Sequence, residues 1–452
     1  MKQTQVKVAF LSAVLALGTI LAGCGGNSNN ASGGGTSAPA ANQEQGEVSS
    51  QSGEQSKEKI VIATVGPLSG SASDYGSTAN AGAQYALEQK KAEFEQLGFT
   101  VELLPQDDQA DAKQAVAIAE MMVSNPDVVA VVGHVTTGAS IAASVKYEQE
   151  GLVMVSPSST GSSLTDEGKK VVHRICARDD QQGSQAAIFA KNQLNVKSAF
   201  IIHDKQAYGQ GLADEVKKQF DQDGVQVLGY EGITAGEKDY SAVINKVVAA
   251  NPDLIYFGGY YAEAGILVKQ ARDKGFKGYF MGGDGFDSAD LLKIAGPAAE
   301  GVVFTSTVGD IAATEEGKKW IEEYEQKTGN KVGIFTSFGY DAMNVTLNGV
   351  LEAIKANGGT KGITNSPRYS CTNTKTVKKC TWGKRNNPFS ASRSAAGCPA
   401  CLCQPAQTAG FFSVAGDSPS AGFGPHCRFC GRMMVLLLPC GRWQALPVSY
   451  RR

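Results

Sequence analysis

Five short segments hold the residues best placed to bind a small molecule, and each directly follows a run of β-branched and aromatic residues. Gly66-Pro67-Leu68-Ser69-Gly70 continues to Asp74-Tyr75-Gly76, Gly133-His134-Val135-Thr136-Thr137-Gly138 leads into a helical pattern, and Ser156-Pro157-Ser158-Ser159-Thr160 follows a short apolar run. Gly258-Gly259-Tyr260-Tyr261 and Gly282-Gly283-Asp284-Gly285 come later in the chain. The earlier three offer hydroxyls and helix-start amides; the later two offer an aromatic ring and a carboxylate. That division suits a zwitterion. Hydroxyls and the free N–H groups at a helix N-terminus favour a carboxylate, whereas an ammonium needs an acid, and Asp284 is the one acid set amid glycines. Tyr75 and Tyr260 are placed to wall an apolar side-chain pocket. Any one of these loops, taken singly, reads more readily as caps and turn residues. Five of them at the end of strands, with complementary chemistry, read as a binding cleft.

Other chemistries find little support. His134 reads as a packing residue with a backbone hydrogen bond, and with four histidines in all the body shows no metal-ligand spacing. No Gly-x-Ser-x-Gly elbow, phosphate loop or paired general acid and base is present, so neither an enzyme nor a cofactor is expected.

The elements that must position these loops alternate along the body. Apolar runs at 60–65, 99–104, 128–133 and 152–155 are separated by helical patterns at 78–97, 112–123 and from about Gly138. The pattern restarts at 199–202, 225–228, 254–257 and 279–281, each run being followed by a helical stretch. Near-continuous apolar strands between helices imply parallel sheets covered on both faces. The fold class read here is α/β: two doubly wound lobes joined by a hinge, with the ligand in the cleft beyond the strand ends.

The two ends of the chain differ from this body. Lys2 and Lys7 precede an apolar run to Leu21, too short to span a bilayer comfortably, which reads as the core of a signal peptide. It ends in Leu21-Ala22-Gly23-Cys24, which resembles the lipobox of bacterial lipoproteins, where the cysteine is acylated. Residues 1–23 are thus read as signal peptide and 24–57 as a lipid-anchored Gly/Ser-rich tether. The body divides into 58–176 for the first lobe, 177–306 for the second and 307–364 for a truncated return to the first. Residues 365–452 hold twelve of the 42 basic residues but one of the 44 acidic ones, and eight of the ten cysteines. The body is therefore acidic, which argues against nucleic acid as a partner. Cys398-Pro399-Ala400-Cys401 and Cys427-Arg428-Phe429-Cys430 imitate a zinc site, but four further cysteines are scattered around them without a framing element. The tail is read as aberrant, disordered sequence, out of frame or read through.

Tyr147-Glu148-Gln149-Glu150-Gly151-Leu152, Ile202-His203-Asp204-Lys205-Gln206-Ala207-Tyr208-Gly209, Gly232-Ile233-Thr234-Ala235-Gly236-Glu237-Lys238-Asp239 and Tyr256-Phe257-Gly258-Gly259-Tyr260-Tyr261 carry a resemblance that spans both lobes. From about Lys59 to Ile363 the chain resembles the leucine/isoleucine/valine-binding proteins of branched-chain amino acid ABC transporters, which have the type I periplasmic-binding fold. The resemblance implies a ligand carboxylate on Thr137, Ser158 and Thr160, and an ammonium on Tyr260 and Asp284. It implies a side-chain pocket of Tyr75, Val135 and Phe335. Asp284 stands where the family carries glutamate, and the positions of a family disulfide fall on Ala110 and Thr136, so that bridge is absent. A monomer is implied, delivering a small amino acid (leucine, isoleucine or valine) to an ABC permease from the outer surface of the membrane, or from the periplasm where there are two membranes. Closure would turn on crossing segments at 174–177 and 305–308. A receptor for an amide-type solute and the ligand-binding subunit of a membrane sensor remain as alternatives.

The family pattern stops near Thr364, before its last helix and strand pair. Losing such elements should cost several kcal/mol against a margin of roughly 5–15 kcal/mol. The chain is therefore expected to melt well below one in which a family terminus replaces residues 365–452, as thermal unfolding of the two would show.

Overall fold

The computed structural model describes residues 57–359, together with the backbone of two short strands, Met434–Leu437 and Gln444–Leu446. The signal segment, the tether with Cys24 and both Cys-x-x-Cys pairs lie outside the described residues.

The first lobe is built from β1 (Glu58–Gly66), α1 (Ser73–Gln96), β2 (Phe99–Asp107), α2 (Ala112–Ser124), β3 (Val128–Gly133), α3 (Thr137–Glu150), β4 (Val153–Ser156), α4 (Ser163–Asp166) and β5 (Val172–Arg174). Its five strands pair in parallel in the order β2-β1-β3-β4-β5. Both faces are covered, as the unbroken apolar strands require. On one side Ile60, Ile62, Val129 and Val153 pack with Ala83, Leu87 and Leu347. On the other, Val61, Ala63, Val131 and Met154 pack with Ile118, Met122 and Tyr147.

The chain leaves this sheet after Arg174 and enters α5 (Asp179–Asn192), β6 (Ser198–His203), α6 (Ala207–Asp223), β7 (Gln226–Gly232), α7 (Ser241–Ala250), β8 (Leu254–Gly258), α8 (Tyr261–Asp273), β9 (Tyr279–Gly282), α9 (Ala289–Ala295) and β10 (Val302–Ser306). Strands β6 to β10 are parallel in the order β10-β9-β8-β6-β7. After Ser306 the chain returns through α10 (Glu315–Thr328) to α11 (Thr336–Ala356), which lies along α1 and over β3 and β4.

Three local differences from the sequence reading have simple causes. Helix α1 begins at Ser73, five residues before the apolar periodicity at Thr78, because its polar first turn rests on the Pro67 backbone. Gly76 permits that approach, since a Cβ there would strike Pro67. Strand β5 is three residues long and carries His173 and Arg174, so no apolar run marks it. The tail, read without any element, contributes two strands. β11 (Met434–Leu437) pairs antiparallel with β10, Ser306 opposite Met434 and Val303 opposite Leu437. β12 (Gln444–Leu446) pairs in turn with β11. The edge of β10 is therefore occupied.

Helices α1 and α11 approach so closely that glycine is required at their crossing. A Cβ on Gly82 would meet the Thr336 carbonyl, and one on Gly339 would meet the Ala79 carbonyl. Gly82→Ala gains up to about 1 kcal/mol of helix propensity, but it must separate two backbones and so is expected to be destabilising overall. Overpacking of this kind costs about 1–3 kcal/mol, which a lowered urea midpoint would report.

Candidate functional site

The strand-end loops named from the sequence do converge, and the first lobe's loops are fixed by hydroxyls. The His134 carbonyl accepts from Ser140 Oγ at 2.9 Å, Ser156 Oγ at 2.7 Å and Ser159 Oγ at 3.2 Å. The Val135 carbonyl accepts from Ser158 Oγ at 2.8 Å and Ser159 Oγ at 3.1 Å. Beneath them the fully buried His134 ring spans Asp108, with Nδ1 2.7 Å from Oδ2, and Tyr147, with Nε2 3.2 Å from the phenol oxygen. His134 is thus buried in the packing as the sequence suggested, but its ring bonds to two side chains and not to backbone, and it anchors the turn that starts α3.

No side chain caps α3: Thr136 stands at the cap position in extended geometry with its buried Oγ1 unpartnered. The first amides of a helix have no acceptor within the helix, so this end presents donors. Thr137 is buried beside them, its Oγ1 accepting from Gly161 N at 3.2 Å. Thr160 is buried, its hydroxyl beside Asp179 without hydrogen-bond geometry to any described residue. Ser158 differs from the reading of the sequence in one respect: its proton goes to Val135, so the hydroxyl shapes the loop.

The second lobe supplies acids and phenols. Asp284 opens a short 3-10 turn after β9 and is 3% exposed. Its Oδ1 accepts from Tyr208 at 2.8 Å and its Oδ2 from Thr307 Oγ1 at 3.4 Å. Tyr208 in turn accepts from Gly285 N at 2.9 Å. Burial pushes the Asp284 carboxyl up, and the Tyr208 hydrogen bond works in the opposite sense. Asp179, at the start of α5, is buried with both carboxylate oxygens unpartnered among the described residues. Burial pushes its carboxyl well above the usual range, and the charge of Asp284 adds to the effect.

The aromatic wall joins the lobes. Tyr75, on the first turn of α1, donates its hydroxyl to the Gly285 carbonyl at 2.6 Å, and Ser288 Oγ donates to Asp74 Oδ2 at 3.0 Å. The Tyr75 ring lies 5.8 Å from Tyr260, 5.2 Å from Tyr261 and 5.4 Å from Phe335. Tyr260 also stacks on Tyr208 at 5.0 Å. Tyr75, Val135 and Phe335 belong to one apolar cluster with residues of the second lobe, and Tyr260 packs against it. The structure joins Tyr75, Val135, Phe335 and Tyr260 in one apolar cluster, sets Thr137, Ser158 and Thr160 in the first lobe's loops around the start of α3, and places Asp284 on Tyr208 beneath Tyr260.

Asp179, Tyr208, Gln182 and Thr307 were not singled out. Asp179 and Asp180 are acids in the first turn of a helix, a common placement that marks no site, and Thr307 fell in a crossing segment. Tyr208 lay in a resembling stretch but carried no role. Among the described residues no group of His, Cys, Asp or Glu could hold a metal, and no helix is long and apolar enough to cross a membrane.

Comparison with known proteins adds a family. Residues 59–369 match the family described as periplasmic binding protein. A leucine-, isoleucine-, valine-, threonine- and alanine-binding protein of Pseudomonas aeruginosa is 37% identical over 297 residues, 66% of this chain and 79% of the relative. The leucine-specific-binding protein of Salmonella typhimurium is 39% identical over 246 residues, 54% of this chain and 66% of the relative. Among solved structures, the leucine-binding protein LivK of Thermotoga maritima gives a TM-score of 0.67 at 26% identity, covering 86% of this chain and 98% of that one. LivJ of Streptococcus pneumoniae, in complex with isoleucine, gives 0.59 at 27% identity, covering 66% and 84%.

The Tyr75 hydroxyl is a direct tie between the lobes. Tyr75→Phe keeps the ring and leaves the Gly285 carbonyl without its donor, which should cost the closed form about 1–3 kcal/mol. Small-angle scattering of the variant is expected to show a larger radius of gyration; an unchanged profile would mean that the aromatic packing alone holds the lobes together.

Proposed function

Because the chain belongs to the periplasmic binding protein family, we propose that it captures a branched-chain or other small amino acid outside the cytoplasm and delivers it to an ABC importer. The observation that carries the reading is the division of polar groups across the cleft. Uncapped α3 amides with Thr137 and Thr160 stand on one side, and Asp284 with Tyr260 on the other. An α-amino acid presents a carboxylate and an ammonium to match. Its side chain would meet Tyr75, Val135 and Phe335, an apolar wall suited to an aliphatic group.

The action is closure rather than bond chemistry. Each lobe holds half of the complementary groups, so a ligand engages all of them only when the lobes are together, and it stabilises that form by its differential affinity. The protein then acts as a binding subunit, not an enzyme, and its partner is a membrane permease. The lipobox ending at Cys24 supports a lipid anchor on the outer face of the cell membrane, with a monomer presented on the tether that follows. The names of the relatives, which bind leucine, isoleucine or valine, agree with the pocket chemistry.

Titration calorimetry of the chain against the twenty amino acids tests the reading. Leucine, isoleucine or valine is expected to bind most tightly. Asp284→Ala should weaken that binding by at least about 2 kcal/mol, roughly thirtyfold, as for loss of a charge-assisted bond. Undiminished binding in Asp284→Ala would remove the proposed ammonium contact, and no response to any amino acid would remove the function.

A further inference from the structure

Asp179 is 2% exposed, yet neither of its carboxylate oxygens has a hydrogen-bond partner among the described residues. Its own N–H donates to the Thr160 carbonyl at 3.0 Å, which ties the start of α5 to the first lobe's loop. The groups that act on it come from every side: Asp284 after β9, Arg174 of β5, Cys176 in the crossing, Asp180 on its own helix, and the phenols Tyr208, Tyr256 and Tyr260. Arg174 is the one cation among these groups. Its terminal nitrogens are engaged elsewhere, Nη1 with Ser159 O at 2.8 Å and Nη2 with Ser162 O at 3.2 Å and Thr165 Oγ1 at 2.8 Å. Gln182, one turn along α5, is also buried with its Oε1 unpartnered. The Thr160 and Tyr256 hydroxyls and Arg174 Nε are unpartnered as well, so unused donors and acceptors meet here. What neither carboxylate has among the described residues is a cation hydrogen-bonded to it.

We propose that Asp179 and Asp284 work as a pair that retains a proton until the ligand's α-ammonium displaces it, so that amino-acid capture releases a proton and weakens in acid. This rests on the amino-acid reading above and extends it from one carboxylate to two. Two acids buried near one another resist double ionisation, and the retained proton belongs to the pair rather than to either residue. Burial raises both carboxyls, and the Asp284 charge raises Asp179 further. Asp287, on the same turn as Asp284, is pushed up to about 7 by burial and by the Asp284 charge, and burial keeps the Tyr75 phenol protonated. The Cys176 thiol, pushed up to about 12 by burial, stays neutral, and burial likewise keeps the three phenols protonated. An arriving ammonium keeps its own hydrogens and donates them to the two carboxylates. The proton it displaces leaves the carboxyl for solvent.

The sign follows from linkage. The pair titrates higher when empty than when it faces an ammonium. Above the empty value both forms are ionised and affinity is flat with pH. Between the two values binding must expel a proton, and affinity falls by up to about tenfold for each pH unit of acidification.

Calorimetry of the full chain with L-leucine, in buffers of different ionisation heat, counts the protons directly. Across a series from about pH 5 to about pH 8 the observed heat should depend on the buffer wherever the empty pair still holds its proton, with up to about one proton released. There the dissociation constant should rise by up to about tenfold per unit of acidification. Asp179→Asn should flatten both dependences, and Asp179→Glu, which retains a carboxyl, should restore them. Buffer-independent heats and pH-independent affinity in the native sequence would overturn the proposal. So would undiminished proton release in an Asp179→Asn variant that melts cooperatively. If that variant does not fold, the native proton count and the Glu variant decide. Failure of leucine and all other amino acids to bind at about pH 7.5 would instead remove the reading on which this one rests.

Discussion

A carboxylate taken out of water without a cation beside it is strongly disfavoured, and this cleft buries two of them in the same wall. Asp284 is braced by Tyr208 and Thr307, while Asp179 has no such support. The rest of the cleft can be understood from that constraint. Tyr208 is held in place by the Gly285 amide and by stacking on Tyr260, so the acid and the aromatic wall are positioned by the same side chain. Gly285 also receives the Tyr75 hydroxyl from the first lobe. The turn that presents Asp284 is therefore the place where the two lobes touch, and anything that stabilises charge there also bears on closure.

The opposing wall solves a different problem. A loop that presents free amides must itself be rigid without using those amides. Serine hydroxyls do this by donating to the carbonyls of His134 and Val135, with the His134 ring locked below by Asp108 and Tyr147. Acceptors in the loop are thereby satisfied while donors at the start of α3 stay available. Hydroxyls can play this part because each supplies one proton and still offers an acceptor. The consequence is a site with donors on one side and acceptors on the other, each set carried by a lobe with its own cores.

Most of the fold was legible because its strands are long, apolar and separated by helical periodicity. The elements that escaped are those where that signal fails. β5 is a three-residue strand with two polar side chains, and the first turn of α1 is polar and glycine-bearing because it packs on backbone. Strand β11 lies in sequence unlike the rest of the protein, and its pairing with β10 depends on a distant edge that no local pattern announces. In the site, loops rich in Ser, Thr and Gly after apolar runs were legible from position alone. Asp179 was not, because an acid at a helix start is so ordinary. Only its burial and its lack of partners distinguish it from Asp180, which pairs with Arg178.

The shorter acid at position 284 links these features. Where the resemblance implies glutamate, aspartate ends one methylene earlier, which would keep its carboxylate closer to the floor of the second lobe. Tyr208 and Thr307 hold it there. An ammonium that meets Asp284 has to enter further into that lobe, on the side where Asp179 and the Gln182 carbonyl oxygen lie buried without partners. On the proposed reading, retraction of one acid would bring the cation within the field of a second, so that a second charge would offset the loss of reach. The same retraction would draw the ligand's ammonium away from the apolar wall of Tyr75, Val135 and Phe335, leaving that wall to its side chain. A site arranged as proposed would discriminate first for the ammonium, by charge, and then for the length of an aliphatic side chain, by the room that remains.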